Sequence, residues 1–257
     1  MSSQSKPKTN TDARQSSQNL VMIGVIVAIA VIAAVIFIVL LQNQANQGGA
    51  TGDIYPFLEV NNDGTFASDF ESGEIYQWRM PDGGFVMGNP NAQVTLVEFA
   101  DFLCPHCQSY KPQIDRFVEE FVLTGQAKFE YRMIPTQTLS EFVGGVAECA
   151  AEAYEGGFYP VHEELFRIAR SGAVTDSIGR NIAEEFDLDY AELLECTSDA
   201  DQLRADGALG SRAGVASTPT IRIRIGDSDP QPIGPAYERG QVPYEVIAGA
   251  ILTAQVQ

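Results

Sequence analysis

Residues 20–41 read LVMIGVIVAIAVIAAVIFIVLL, with no charge and no strong polar group. At about 1.5 Å per helical residue they reach roughly 33 Å, the thickness of a bilayer core, which predicts a single transmembrane helix. The next stretch, QNQANQGGATGD from Gln42 to Asp53, is polar, contains glycine and has no period, so it reads as a flexible tether. From Ile54 to about Gly88 the rings of Tyr55, Phe57, Phe66, Phe70, Tyr76 and Trp78 are interleaved with NNDG and PDGG turns. These aromatics are expected to fasten an irregular arm to a domain, with a ligand site as the alternative. At Val94 the pattern tightens: VTLVEF is β-rich and apolar on both parities, which predicts a central strand covered on both faces. After Cys104 the period becomes helical, with Ile114, Phe117, Val118, Phe121 and Val122 recurring until Gly125 stops the run. Pro105 suits the first position of that helix, and Pro112 is expected to kink it. LSEFVGGVAECAAEAY, PVHEELFRIAR, DSIGRNIAEEF, DYAELLEC and DADQLRADGALGSRAG read as further helices. TIRIRI alternates as a strand from Ile221 to Ile225, and GDSDPQP turns the chain. Val246, Ile247, Ala250, Ile251 and Ala254 then give a last helix its apolar face.

Charge sets the orientation of this layout. Lys6, Lys8 and Arg14 precede the apolar run and the next basic residue is Arg79, so the N-terminus is expected in the cytoplasm and everything beyond Leu41 outside. A cleaved signal peptide is the competing reading, with Ala45 and Ala50 as small residues nearby. Its hydrophobic region normally runs only ~7–15 residues. No cysteine follows the run closely, so a lipoprotein anchor is not supported. Acidic residues number 34 against 16 basic ones, for a net charge of −18. That surface repels polyanions, and nucleic acid is not an expected partner. It reads as a solubility surface, with an acidic docking face as the alternative.

Outside the cytoplasm the four cysteines meet oxidising conditions. Two of them stand three residues apart in FLCPHCQ, Phe102 to Gln108, with Pro105 and His106 between them. Across the first turn of a helix that spacing lets the sulfurs of Cys104 and Cys107 meet in a disulfide. Free N–H groups and the dipole at the helix start favour a thiolate on Cys104, and His106 can add positive charge or a donor. A more stable thiolate leaves more readily, so the disulfide becomes a stronger oxidant. Cys104 is the expected nucleophile and Cys107 the resolving thiol. An inert structural disulfide is the alternative. A c-type haem site needs histidine where Gln108 stands, and zinc usually needs a second close pair, whereas Cys149 and Cys196 are isolated. No metal and no cofactor is expected. Glu98 shares a strand face with Val94 and Leu96, so it is either a buried carboxyl of raised pKa that passes protons during exchange or a solvated group at a wet strand end.

These residues resemble the DsbA-like thiol-disulfide oxidoreductases of the thioredoxin-like superfamily. GNPNAQVTLVEFADFLCPHC is similar to the family's first strand and active site, and GVASTPTIRIRIG places Thr218-Pro219 before a strand as the family does. The resemblance covers roughly 88–257. It implies an α/β fold, a central mixed sheet flanked by helices, with a helical insertion at about 137–214. The expected organisation is a cytoplasmic tail (1–19), a transmembrane anchor (20–41), a linker and irregular arm (42–87) and the thioredoxin-like domain (88–257). It also implies a cis bond at Thr218-Pro219 beside the active-site disulfide, where the backbone binds substrate as an added strand, and it matches Glu98 to the family's buried acid. Threonine at 218 departs from the valine of the best-known strong oxidases and is closer to disulfide isomerases, which leaves the direction of electron flow open.

Cys149 and Cys196 fall on two insertion helices; an oxidising compartment favours a structural disulfide between them, and two separate buried thiols are the alternative. His162 reads as a core or surface histidine. The expected activity is a membrane-anchored, extracytoplasmic protein dithiol oxidase acting on unfolded or newly exported thiol-containing proteins. The resemblance implies reoxidation by a quinone-linked membrane partner of the DsbB or vitamin K epoxide reductase type. The rivals are a reductase or isomerase using the same site, and a binding or assembly module whose redox activity is incidental.

Overall fold

The computed structural model describes residues 55–71, 73–172 and 174–254. The chain divides into two units, Met1–Gly49 and Ala50–Gln257, and the described residues belong to the second. The predicted anchor from Leu20 to Leu41, the tail before it and most of the tether lie outside them. Among the described residues no helix is long and apolar enough to cross a membrane.

Six strands, β1 (Phe57–Leu58), β2 (Tyr76–Arg79), β3 (Phe85–Gly88), β4 (Val94–Ala100), β5 (Lys128–Met133) and β6 (Thr220–Ile225), form one mixed sheet in the order β1-β2-β3-β5-β4-β6. β4 runs parallel to β5 and antiparallel to β6, and all seven of its residues are buried. A strand apolar on both parities needs a cover on both faces, and it has one. Val94 and Leu96 join the main core with Ile114 and Phe117 of α1 (Pro105–Phe117) and Ile251 of the last helix, α7 (Tyr244–Ala254). Val97 and Phe99 pack instead with Leu209. α1 continues through Pro112 to Phe117 and passes into a π-helical turn, Val118–Val122.

Five helices fill the expected insertion: α2 (Ser140–Ala153), α3 (Phe158–Arg170), α4 (Ile178–Glu185), α5 (Tyr190–Thr197) and α6 (Gln202–Arg212). Cys149 on α2 and Cys196 on α5 are joined by a disulfide, with an S–S distance of 1.99 Å and a Cα–Cα distance of 5.9 Å. It closes a loop 47 residues long, which by chain entropy stabilises the fold by about 4 kcal/mol. A C149A/C196A protein is therefore expected to reach its urea midpoint at clearly lower denaturant. An unchanged midpoint would mean that the bond constrains little.

The stretch read as an irregular arm contains β1, β2 and β3, which extend the sheet. Leu58, Tyr76, Trp78 and Val86 form a second small core, with Phe66 edge-on to both Trp78 (5.4 Å) and Phe70 (5.1 Å). Charge fastens the same region. The fully buried Arg132 of β5 pairs with Glu130 (2.6 Å), with Asp206 of α6 (3.0 Å) and with Asp82 (2.8 Å) in the PDGG turn. Gly84 in that turn admits the guanidinium, because a Cβ there would stand 2.2 Å from Arg132 Cζ.

Candidate active site

The loop leaving β4 delivers both cysteines to the start of α1. Asp101, 4% exposed, holds this loop: one carboxylate oxygen accepts from Leu103 N–H (2.9 Å), the other from Thr136 N–H (2.8 Å), Thr136 Oγ1 (2.5 Å) and Ser140 Oγ (2.7 Å). Its carbonyl also accepts from Cys104 N–H at 3.1 Å. Cys104 is the N-cap of α1, Pro105 and His106 are exposed on the first turn, and Cys107 points into the core. Both cysteines are free thiols, and a side-chain hydrogen bond joins them. Their exposures differ in kind: Cys104 keeps 5%, whereas Cys107 has none.

Thr218-Pro219 faces this pair. The peptide between them is cis, and the Thr218 carbonyl lies 3.6 Å from Cys104 Sγ. Two contacts to other parts of the chain hold the surroundings. Arg222, buried on β6, donates to the carbonyls of Ala213 (3.2 and 3.1 Å) and Glu238 (2.9 Å), at the root of the loop that carries Thr218. Gln241 donates to the His106 carbonyl at 3.0 Å.

Glu98 lies below, 1% exposed, beside Tyr131 of β5 and Ile221 of β6. The strand end is not wet. Burial pushes its carboxyl up to about 8, with the charge of Lys111 pulling the other way. Burial, and then the neighbouring Glu98, push the Cys107 thiol far above its ordinary value. Lys111 of α1, only 3% exposed, donates to both Glu163 oxygens at 2.8 Å and to Asp115. Burial opposes its charge, but Glu163 and Asp115 outweigh that and keep its pKa above the ordinary value. His162 is in the core, 1% exposed, with Nδ1 3.1 Å from Glu163 Oε1, and burial lowers its pKa.

The structure thus brings Cys104, Cys107, Pro105, His106, Thr218, Pro219 and Glu98 into one region, while Cys149 and Cys196 sit apart in the insertion. Sequence reasoning passed over Asp101, Lys111, Glu163 and Arg222. The signal for Asp101 was its place between strand and cysteine loop; a lysine on a helix and an arginine in an alternating strand read as surface. Chemically, one accessible sulfur beside a buried one, over a carboxyl that titrates near neutrality, suits thiol exchange coupled to proton transfer. Among the described residues no cluster could hold a metal ion.

A thioredoxin family model matches residues 81–229, more than half of the chain. The chain belongs to the thioredoxin family. This thioredoxin-family protein is 28% identical over 153 residues to Disulfide bond formation protein D of Bacillus subtilis, across 54% of this chain and 66% of that one. It is also 28% identical over 147 residues, 56% of this chain, to Na(+)/H(+) antiporter NhaA 3 of Salinispora tropica, and spans only 22% of that protein's length. The crystal structure of oxidised BdbD from Bacillus subtilis aligns with a TM-score of 0.55 at 21% identity, over 67% of this chain and 92% of BdbD. The thioredoxin-like fold is DsbA-like in its sheet and helical insertion.

Proposed function

We propose that this protein is a membrane-anchored, extracytoplasmic dithiol oxidase that introduces disulfides into newly exported proteins. The observation that supports this best is the asymmetric thiol pair at the start of α1, with Cys104 Sγ beside the Thr218 carbonyl and Cys107 fully buried. In the disulfide form, a substrate thiolate attacks Cys104 Sγ and the Cys104–Cys107 bond breaks. Cys107 leaves as a thiolate and takes a proton from Glu98. A second substrate thiolate then attacks the substrate sulfur of the mixed disulfide and releases Cys104 as a thiolate. The substrate departs with a disulfide, and its two electrons stay on the enzyme as the dithiol. The backbone at Thr218-Pro219 would hold the substrate chain as an added strand. A quinone-linked membrane partner of the DsbB or vitamin K epoxide reductase type would take up the two electrons. The apolar run from Leu20 to Leu41 would keep the domain, outside the cytoplasm, close to that partner.

A second reading has one observation in its favour. Threonine rather than valine stands before Pro219, its carbonyl touching Cys104, which suits a reductase or isomerase. The equilibrium reduction potential of the Cys104–Cys107 pair in glutathione buffers separates the two, with Cys149 and Cys196 followed by mass. The oxidase is expected near the roughly −120 mV of DsbA, a strong oxidant; a value near roughly −270 mV, as for thioredoxin, would make it a reductase.

A further inference from the structure

Beneath the cysteine pair three polar atoms have no hydrogen-bond partner among the described residues: Glu98 Oε2, Tyr131 Oη and His162 Nε2. All three side chains are at most 1% exposed. Glu98 and Tyr131 are register partners across β4 and β5, and the Tyr131 ring stands edge-on to that of His162, with centroids 4.5 Å apart. A buried polar group left unpaired costs about 1–3 kcal/mol, so three in one neighbourhood point to something the interior is shaped to hold.

Their chemistry is complementary. Desolvation pulls the Glu163 carboxyl up, but the hydrogen bond from His162 and the charge of Lys111 outweigh it and hold the group at about 2, as a carboxylate. It accepts, so His162 Nδ1 at 3.1 Å is the nitrogen that carries the proton, and Nε2 is a bare acceptor. Tyr131 offers an O–H, and Glu98, protonated near neutral pH, offers another. One water can join two donors and one acceptor. The titratable groups around His162 are Glu163 on its own helix, Lys111 and Asp115 on α1, and Tyr131 and Tyr159; the Tyr159 hydroxyl is already committed to the carbonyls of Phe85 and Phe129. Glu163, its side chain 60% exposed, is where this cluster meets solvent.

We propose that a buried water shared by Glu98, Tyr131 and His162 forms a proton route in which His162 passes the Glu98 proton to Glu163 at the surface, a role that presupposes the thiol-disulfide exchange proposed above. Before the Cys104–Cys107 bond reforms, the Glu98 O–H proton moves to the water, a water proton moves to His162 Nε2, and the Nδ1 proton moves to the Glu163 carboxylate and on to solvent. The Glu98 carboxylate then takes the thiol proton of Cys107, whose sulfur becomes the nucleophile. When the disulfide opens, the same steps run backwards and one proton returns. His162 acts through Glu98 and is a positioning and relay residue.

The test follows reduction of the oxidised full-length protein by glutathione, with acid quench and thiol counting by mass, from about pH 5 to about pH 9. H162Q keeps a donor toward Glu163 and an acceptor toward the water but cannot shuttle a proton. It is expected to slow reduction by about ten-fold near neutral pH and to leave the reduction potential unchanged, since a relay alters rates and not equilibria. E163Q, on a mostly exposed side chain, is expected to slow it likewise, and it carries the test alone if H162Q does not fold. In an E98Q background H162Q should add nothing. Wild-type rates in both variants overturn the route, as does a shifted potential or an equal slowing in the E98Q background. If the wild-type protein exchanges no thiols with glutathione, the exchange reading itself fails and takes the route with it.

Discussion

Cys107→Ala is expected to leave a protein that takes up one glutathione on Cys104 from oxidised glutathione and keeps it, while Cys104→Ala takes up none. The two sulfurs are covalent equals in sequence but not in place. Cys104 lies at the surface end of the site, 5% exposed, flanked by the exposed Pro105 and His106. Cys107 has no exposure, and its thiol is held far up by burial and by Glu98. Attack requires a thiolate that an external disulfide can reach, and each pKa unit of upward shift removes a factor of ten in thiolate. Adduct formation at Cys107 in the Cys104→Ala protein should therefore be slower than at Cys104 by about three orders of magnitude or more. In the Cys107→Ala protein the internal thiol that would expel glutathione is gone, so the adduct persists. Intact-mass spectra over time read both outcomes, with the Cys149–Cys196 disulfide as an internal constant. Comparable adduct rates in the two variants would sink the division into an attacking and a resolving cysteine.

That division was legible from residue order, because the first turn of a helix places its first residue outward and the residue three later inward. The strand before it was legible too: an apolar run on both parities has no stable place except between two covers, and β4 has them. Long helices such as α2 and α3 carried enough period to be read. β1 to β3 did not, since strands of two to four residues hold no period of their own and exist through pairing with β5. The cluster around Glu98 was hidden for a different reason. Lys111 and Glu163 are 52 residues apart, and each alone reads as an exposed charge on a helix. Only the packing of α1 against α3 turns Lys111 into a buried cation and ties Glu163 to His162. Asp101 likewise looks like a loop residue until Thr136 and Ser140, 35 and 39 residues on, close around it.

Glu98→Gln is expected to make the dithiol form more stable at alkaline pH and to remove much of its loss of stability as pH rises. Burial raises the Glu98 carboxyl from its ordinary 4.5 to about 8 in the folded protein, while in the unfolded chain it titrates near 4.5. Below the unfolded value the group is protonated in both states and favours neither. Between 4.5 and about 8 the folded state holds a proton that the unfolded state has released, so stability falls with rising pH by about 1.4 kcal/mol per unit. Above the folded value the whole cost of an ionised buried carboxylate has been met, on the order of several kcal/mol. Glutamine keeps the shape and cannot ionise, so the difference between the two proteins isolates this one group from Asp206, whose buried carboxyl also titrates late, at about 7. Urea unfolding at about pH 5 and about pH 8 measures it: near-equal midpoints for the two proteins at the lower pH, and a higher midpoint for the glutamine variant at the upper one. The same substitution takes away the group placed to exchange a proton with Cys107, and general acid–base loss of that kind slows exchange by about a hundred-fold. A glutamine variant equally stabilised at both pH values would show that the carboxyl does not titrate in this window, and would leave its slowing of exchange to packing alone.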